Sequence, residues 1–189
     1  MDNTQILQHI DHTRLAAVST WEEIEALCRQ ALEWHTASVC IPPSFVRRVR
    51  EAFPQLRICT VIGFPLGYNT TQTKVFETAE AVAGGADEVD MVVNLGDVKD
   101  GAFDRVTAEI AALKAAADGR VLKVIIETCA LTDEEKTALC RCVTEGGADY
   151  IKTSTGFGTA GAKLEDITLF RQHSGPGVKI KAAGGIRTK

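Results

Sequence analysis

The sequence contains no C-x-x-C motif and no pair of cysteines or histidines at metal-ligand spacing. Its six cysteines (Cys28, Cys40, Cys59, Cys129, Cys140 and Cys142) are scattered, so a zinc ribbon or a dithiol redox motif is excluded at the level of spacing. Cys140 and Cys142 lie two apart in a helical pattern and point to different faces. Reduced, mostly buried thiols in a cytoplasmic protein are the expectation. Lysine and arginine form no blocks and the net charge is −4, which argues against nucleic acid or an anionic membrane as the main partner. No apolar run approaches membrane-spanning length, and the start "MDNTQILQHIDHT" lacks the basic and apolar regions of a signal peptide. No strand-like segment leads into G-x-G-x-x-G, which removes the usual dinucleotide fingerprint.

What remains is an ordinary globular composition, 45% hydrophobic and 24% charged over 189 residues, expected to form one domain, 1–189. Strand and helix patterns alternate along it with a period of about 25–30 residues. The helix "TWEEIEALCRQALEWH" precedes the strand "ASVCI", and "PSFVRRVREAF" precedes "RICTVIG". "ADEVDMVVN", "VLKVIIET", "ADYIKTST" and "VKIKAAGG" follow as strands, each after a helix, and "HIDHT" near the start makes seven. Two units, "AVAGGADEVDMVVN" and "CVTEGGADYIKTST", end a helix on Gly-Gly, turn on Ala-Asp and enter a strand. Such a repeat implies one regular architecture with parallel pairing and right-handed crossovers. Polar residues recur in or at the ends of the strands: Asp11, Cys40, Asp90, Glu127, Lys152 and Lys181. That recurrence favours a (β/α)8 TIM barrel, whose C-terminal strand ends converge on one site, over an open doubly wound sheet. Only "IRTK" follows the seventh strand. The expectation is therefore a barrel lacking its eighth β/α unit, since a usual barrel has roughly 250 residues. Unpaired first and seventh strands would favour association, a homodimer being the simplest case.

Strand alternation puts Lys152, Lys181 and Asp90 each opposite an apolar row, so all three are expected to point inward. A buried ammonium beside a second one loses proton affinity, and a partly neutral lysine attacks carbonyl carbon to form a Schiff base. Asp90 is placed to shuttle protons with the second lysine. The competing reading is a lysine that snorkels at a strand end and pairs with Asp90. The glycines of "STGFG" and "AGGIR" would bring backbone N–H groups to one end of adjacent strands, suiting a phosphate, or simply form βα turns. Asp11 and Thr13 would reach a substrate hydroxyl or brace the barrel. Cys40 would line the pocket or pack. Glu127 would support a lysine. His9, His12, His35 and His173 are read as structural. Lys123 and Lys179, near strand starts, are assigned to the opposite end as surface or stability residues.

In order along the chain, "IDHT", "VCIPP", "VIGFPLG", "EVDMVVN", "KVIIETC", "IKTSTGF" and "KAAGGIRT" resemble the successive strand and loop motifs of the deoxyribose-phosphate aldolase family, from Asp11 to Lys189. The resemblance implies a (β/α)8 class I aldolase that needs no metal or cofactor. It would cleave 2-deoxyribose 5-phosphate reversibly to acetaldehyde and glyceraldehyde 3-phosphate, within deoxyribonucleotide catabolism. It also implies that Lys152 is the Schiff-base nucleophile, that Lys181 depresses its pKa and relays protons, and that Asp90 is the acid/base partner through a water. Asp11, Thr13 and Cys40 would sit around the sugar, and Thr155, Gly156, Gly184 and Gly185 would hold the phosphate. Some members carry a lysine after the glycine of "STG"; here Phe157 stands there. In the family an eighth unit completes the phosphate site. A truncated barrel fragment of weak or no activity, or a related Schiff-base aldolase or transaldolase on another phosphosugar, are the alternatives.

Overall fold

A computed structural model describes residues 2–186. Arg187 and Thr188, at the end of the last motif, lie outside the described residues. Seven parallel strands form one sheet in sequential order: β1 (Asp11–Thr13), β2 (Ser38–Ile41), β3 (Ile58–Ile62), β4 (Glu88–Val92), β5 (Val121–Ile125), β6 (Tyr150–Lys152) and β7 (Lys179–Lys181). The crossovers carry α2 (Trp21–Trp34), α3 (Val46–Ala52), α4 (Thr71–Ala83), α6 (Phe103–Ala116), α7 (Asp133–Glu145) and α8 (Leu164–His173). Two short helices, α1 (Asn3–Leu7) and α5 (Leu95–Lys99), precede β1 and follow β4. The alternating pattern of the sequence thus becomes an α/β fold with a curled parallel sheet.

Helix starts follow from local chemistry. Thr20 caps α2 as half of a capping box, its backbone N–H donating to Glu23 Oε2 at 2.9 Å and its hydroxyl accepting from Glu23 N. Glu22 and Glu23 also favour the positive end of the helix dipole. Thr132 and Glu135 repeat the device on α7. Thr20→Ala is expected to cost about 1 kcal/mol, lowering Tm by about 2–4 °C in thermal unfolding.

The two Gly-Gly-Ala-Asp units behave alike. In each, the second glycine is left-handed (Gly85 and Gly147), a conformation cheap for glycine alone. The aspartate then stitches the coming strand to the one before it. Asp87 Oδ2 accepts from Ile58 N and from Arg50, while Asp149 Oδ2 accepts from Leu122 N and from Lys114.

Alternation along the strands divides the interior in two. Val39, Ile41, Ile58, Ile62, Val89, Met91, Leu122, Val124 and Ile151 face the helices and form the main core with Ile24, Ile110, Leu139 and Phe170. That core also holds an ion pair: Lys74 of α4, fully buried, donates to Glu109 Oε2 of α6 and to the Val92 carbonyl, both at 2.9 Å. The opposite face of the sheet carries a small apolar cluster, Cys40, Cys59 and Val61, and the charged residues described next. β1 and β7 are the sheet's edges and do not pair with each other among the described residues. The curl nevertheless brings them close, since Lys181 Nζ on β7 donates to the His9 carbonyl, just before β1, at 3.1 Å.

Candidate active site

In a parallel sheet, register partners point to the same face. Asp90 is the partner of Lys123, Lys152 of both Ile125 and Lys181, and Thr13 of Cys40. Strand pairing therefore puts Asp90, Lys152 and Lys181 inside together, and puts Lys123 with them.

The charges form one chain across the interior. Lys152 Nζ lies 2.5 Å from Asp90 Oδ2, and Asp90 Oδ1 accepts from Lys123 Nζ at 2.8 Å. Lys123 also meets Glu88 Oε2 at 2.5 Å and stands 3.6 Å from Asp11 Oδ2. Asp11 Oδ2 is 2.7 Å from Lys181 Nζ, and its other oxygen accepts from the Ser38 hydroxyl. Three lysines (Lys123, Lys152, Lys181) thus face three acidic side chains (Asp11, Glu88, Asp90), with the largely exposed Arg57 also 3.4 Å from Glu88.

Burial would push the Asp90 carboxyl up, but Lys152 and Lys123 outweigh it and hold Asp90 far below the usual carboxylate range. Asp11 is lowered in the same way, burial being overcome by Lys123 and Lys181. For Lys152, burial opposes the charge, yet Asp90 at contact distance outweighs it and lifts the group above an ordinary lysine. This corrects the expectation of an amine already partly neutral. In the unliganded site Lys152 is an ammonium, and Lys181 is engaged with Asp11 and the His9 carbonyl.

A cavity of about 970 Å³ opens where the β1 and β7 edges approach one another. Lys152 and Lys181 reach it, as do Asp11 and Thr13 from β1. Thr155, Gly156, Gly184 and Gly185 line it from the loops after β6 and β7, and Phe157 stands at its wall. Cys40 does not line it. Its thiol is buried deeper, beside Cys59, whose Sγ lies 3.2 Å from Asp90 Oδ1. The sulfur and oxygen atoms of Cys40, Cys59 and Asp90 lie within 4.8 Å of one another, the one such group among the described residues, but both Asp90 oxygens already face lysines.

Two sequence assignments are corrected. Lys123 is not a surface residue and sits mid-strand opposite Asp90; its side chain is 3% exposed and holds the two halves of the charge chain together, which keeps the stability half of its assignment. Glu127 supports no lysine; it accepts from the backbone N–H and the hydroxyl of Thr155. The signal for Lys123 was present in "KVI", where Lys123 and Ile125 alternate onto one side of the strand and Val124 onto the other. Glu88, which strand alternation puts on the face of Asp90 two residues on, had no role among the sequence assignments. Lys179 is exposed, as expected, with its ammonium 5.5 Å from the Tyr150 ring centre.

The family model described as DeoC/LacD family aldolase matches residues 5–189. A protein named deoxyribose-phosphate aldolase from Clostridium botulinum (strain Alaska E43 / Type E3) is 58% identical over 189 residues, covering all of this chain and 86% of that one. Its namesake from Clostridioides difficile (strain 630) is 56% identical over 184 residues, covering 97% and 84%. Among solved structures, a deoxyribose phosphate aldolase from Aeropyrum pernix, described as tetrameric, superposes with a TM-score of 0.91 at 29% identity. It covers 98% of this chain and 80% of that one.

Proposed function

Because the chain belongs to the DeoC/LacD family of aldolases, we propose that it cleaves 2-deoxyribose 5-phosphate reversibly to acetaldehyde and glyceraldehyde 3-phosphate through a Schiff base on Lys152. The observation that carries this reading is the position of the Lys152 ammonium, which borders the cavity while paired with a fully buried carboxylate and with Lys181 nearby. Once Lys152 has lost its proton, the amine adds to the C1 aldehyde of the open-chain sugar. Loss of water from the carbinolamine gives the iminium. A base then takes the C3 hydroxyl proton and the C2–C3 bond breaks, its electron pair moving to C2 to leave an enamine. Glyceraldehyde 3-phosphate departs, the enamine is protonated at C2, and hydrolysis frees acetaldehyde and the amine.

Asp90, held ionised at contact distance, takes the role of acid/base partner to Lys152 in this scheme. Lys181 and Asp11, joined at 2.7 Å on the other side of the cavity, serve the hydroxyl and C2 protons. Thr13 would contact the sugar. The loop glycines Gly156, Gly184 and Gly185 line the end of the cavity that the 5-phosphate would occupy. Left-handed φ values at all three let backbone approach a ligand closely. Cys40, set back from the cavity, is assigned to packing instead.

The sheet's curl, its facing edges and the length of its relatives support a finer proposal about the fold. Residues 1–189 would form one domain, seven strands and six crossover helices of a (β/α)8 barrel. No described helix is long and apolar enough to cross a membrane. All six thiols are free, which fits work in a reducing cytoplasm.

Incubation with acetaldehyde and cyanoborohydride should fix a two-carbon ethyl group on Lys152 in large excess over every other lysine, read by peptide mass mapping. Folded protein without that adduct would sink the Schiff-base reading. Comparing cleavage rates on deoxyribose 5-phosphate and on larger ketose phosphates separates it from a transaldolase-like activity.

A further inference from the structure

Among the buried carboxylates with no part in the scheme above, Glu127 stands nearest the cavity loops. Glu127 is 7% exposed and follows β5 with φ +54, one of three non-glycine residues found at positive φ among the described residues. A glutamate held there is strained, and such strain persists where the surroundings over-determine it, often at working sites. The surroundings are plain. Ile126 N donates to the Lys152 carbonyl at 3.1 Å and Thr128 N to the Thr153 carbonyl at 2.9 Å, so backbone on both sides of Glu127 is laced to the end of β6.

This turn aims the carboxylate at the next loop, residues 154–158. Glu127 Oε2 accepts from Thr155 N at 3.3 Å and from the Thr155 hydroxyl. The same hydroxyl oxygen then accepts from Phe157 N at 3.0 Å. Gly158 closes the arrangement from the far side. A Cβ there would meet Cys129 Sγ at 2.8 Å and Glu127 Oε1 at 3.1 Å, so a larger residue would have to push these side chains aside. The Thr155 hydroxyl gives its proton to Glu127 and its lone pair to Phe157, which leaves it little to offer a substrate. Ser154, Gly156 and Phe157 line the cavity beside Thr155, and the shape of the loop is set from behind.

We propose that Glu127 is a positioning residue, which fixes loop 154–158 through Thr155 so that its backbone meets the substrate's phosphate. The proposal rests on the Schiff-base reading and the phosphate placement above, and adds the group that gives the phosphate end its shape. A carboxylate so near an anion site would weaken phosphate binding if charge alone mattered. The hydrogen bonds to Thr155 and the charge therefore predict opposite effects of removing Glu127.

Steady-state kinetics on deoxyribose 5-phosphate and on unphosphorylated 2-deoxyribose decide between them. For Glu127→Ala, KM for the phosphosugar is expected to rise about tenfold, as loss of a charge-assisted hydrogen bond implies. Its kcat should move little, and the KM for 2-deoxyribose should stay within about twofold, because the unphosphorylated sugar makes no use of the loop. Glu127→Gln, whose amide oxygen still accepts from Thr155, should recover most of the phosphosugar KM. Thr155→Val breaks the same link from the other end and should reproduce the phosphate-selective rise, which keeps the test decisive should Glu127→Ala not fold. A KM for the phosphosugar that is unchanged or lower in Glu127→Ala overturns the proposal. So does an equal rise for both sugars, or a Thr155→Val enzyme with wild-type selectivity. These outcomes leave the ethyl adduct on Lys152 in place, whereas loss of that adduct in the wild-type protein strikes the Schiff-base reading itself.

Discussion

Replacing Lys152 with methionine should lower the retro-aldol rate by on the order of 10⁴–10⁶-fold, the scale seen when a covalent nucleophile is removed. Methionine fills much of the lysine stem's volume, so packing is largely kept. Asp90 would not be stranded by the change, because Lys123 still donates to its other oxygen at 2.8 Å. The variant should therefore remain folded by circular dichroism, and acetaldehyde with cyanoborohydride should leave no selectively labelled peptide. If more than about one part in a hundred of the rate survived in pure protein, a nucleophile at Lys152 would be untenable.

The largest loss of stability is expected at Lys123. Lys123→Met leaves Asp11, Glu88 and Asp90 with Lys152, Lys181 and the more exposed Arg57, 3.4 Å from Glu88. Breaking a buried ion pair from one side typically costs about 3–5 kcal/mol. Removing the charge partner as well, in Lys123→Met/Glu88→Gln, returns the interior to two cations and two anions and should recover much of that loss. The sign of the pH dependence follows from the shifts. Lys123 is raised, so its stabilisation is complete below the unfolded lysine value of about 10.4 and disappears as pH rises through the folded one. Asp90 is lowered, so its stabilisation is complete above about 3.9 and fades as pH falls through the folded value. In the single variant the unpaired carboxylates take up protons more readily. The gap in Tm from wild type should therefore be wide near neutrality and narrow toward pH 4. Equal Tm values for the single and double variants at pH 7 would refute the charge balance.

Strand order, the helix caps and the inward set Asp90, Lys152 and Lys181 were readable in the sequence because each rests on local periodicity or on two-residue alternation. Lys123 was misplaced because it was judged by its distance along the strand, near the start, where barrel residues are usually structural. Register decides instead, since Lys123 is the direct partner of Asp90 across the β4–β5 ladder. The Lys74–Glu109 pair was hidden for a different reason. A lysine in "TKVFETAEAV" and a glutamate in "TAEIAAL" each read as a solvated helix face, and only helix packing brings them together. Glu127 escaped because nothing in "IIETC" announces a left-handed residue other than glycine or asparagine. The neutral-amine expectation failed on a distance no sequence contains, the 2.5 Å between Lys152 and Asp90.

The seventh strand reads Lys-Ile-Lys, and among the described residues no strand pairs with its outer margin. An intruding strand from another molecule would have to lie between β7 and β1. There it would part Lys181 from Asp11 and from the His9 carbonyl, leaving a half-buried ammonium without its partners. The clasp that shapes one side of the cavity is thus also what holds the two sheet edges face to face, with lysine at the margin as edge strands elsewhere carry it.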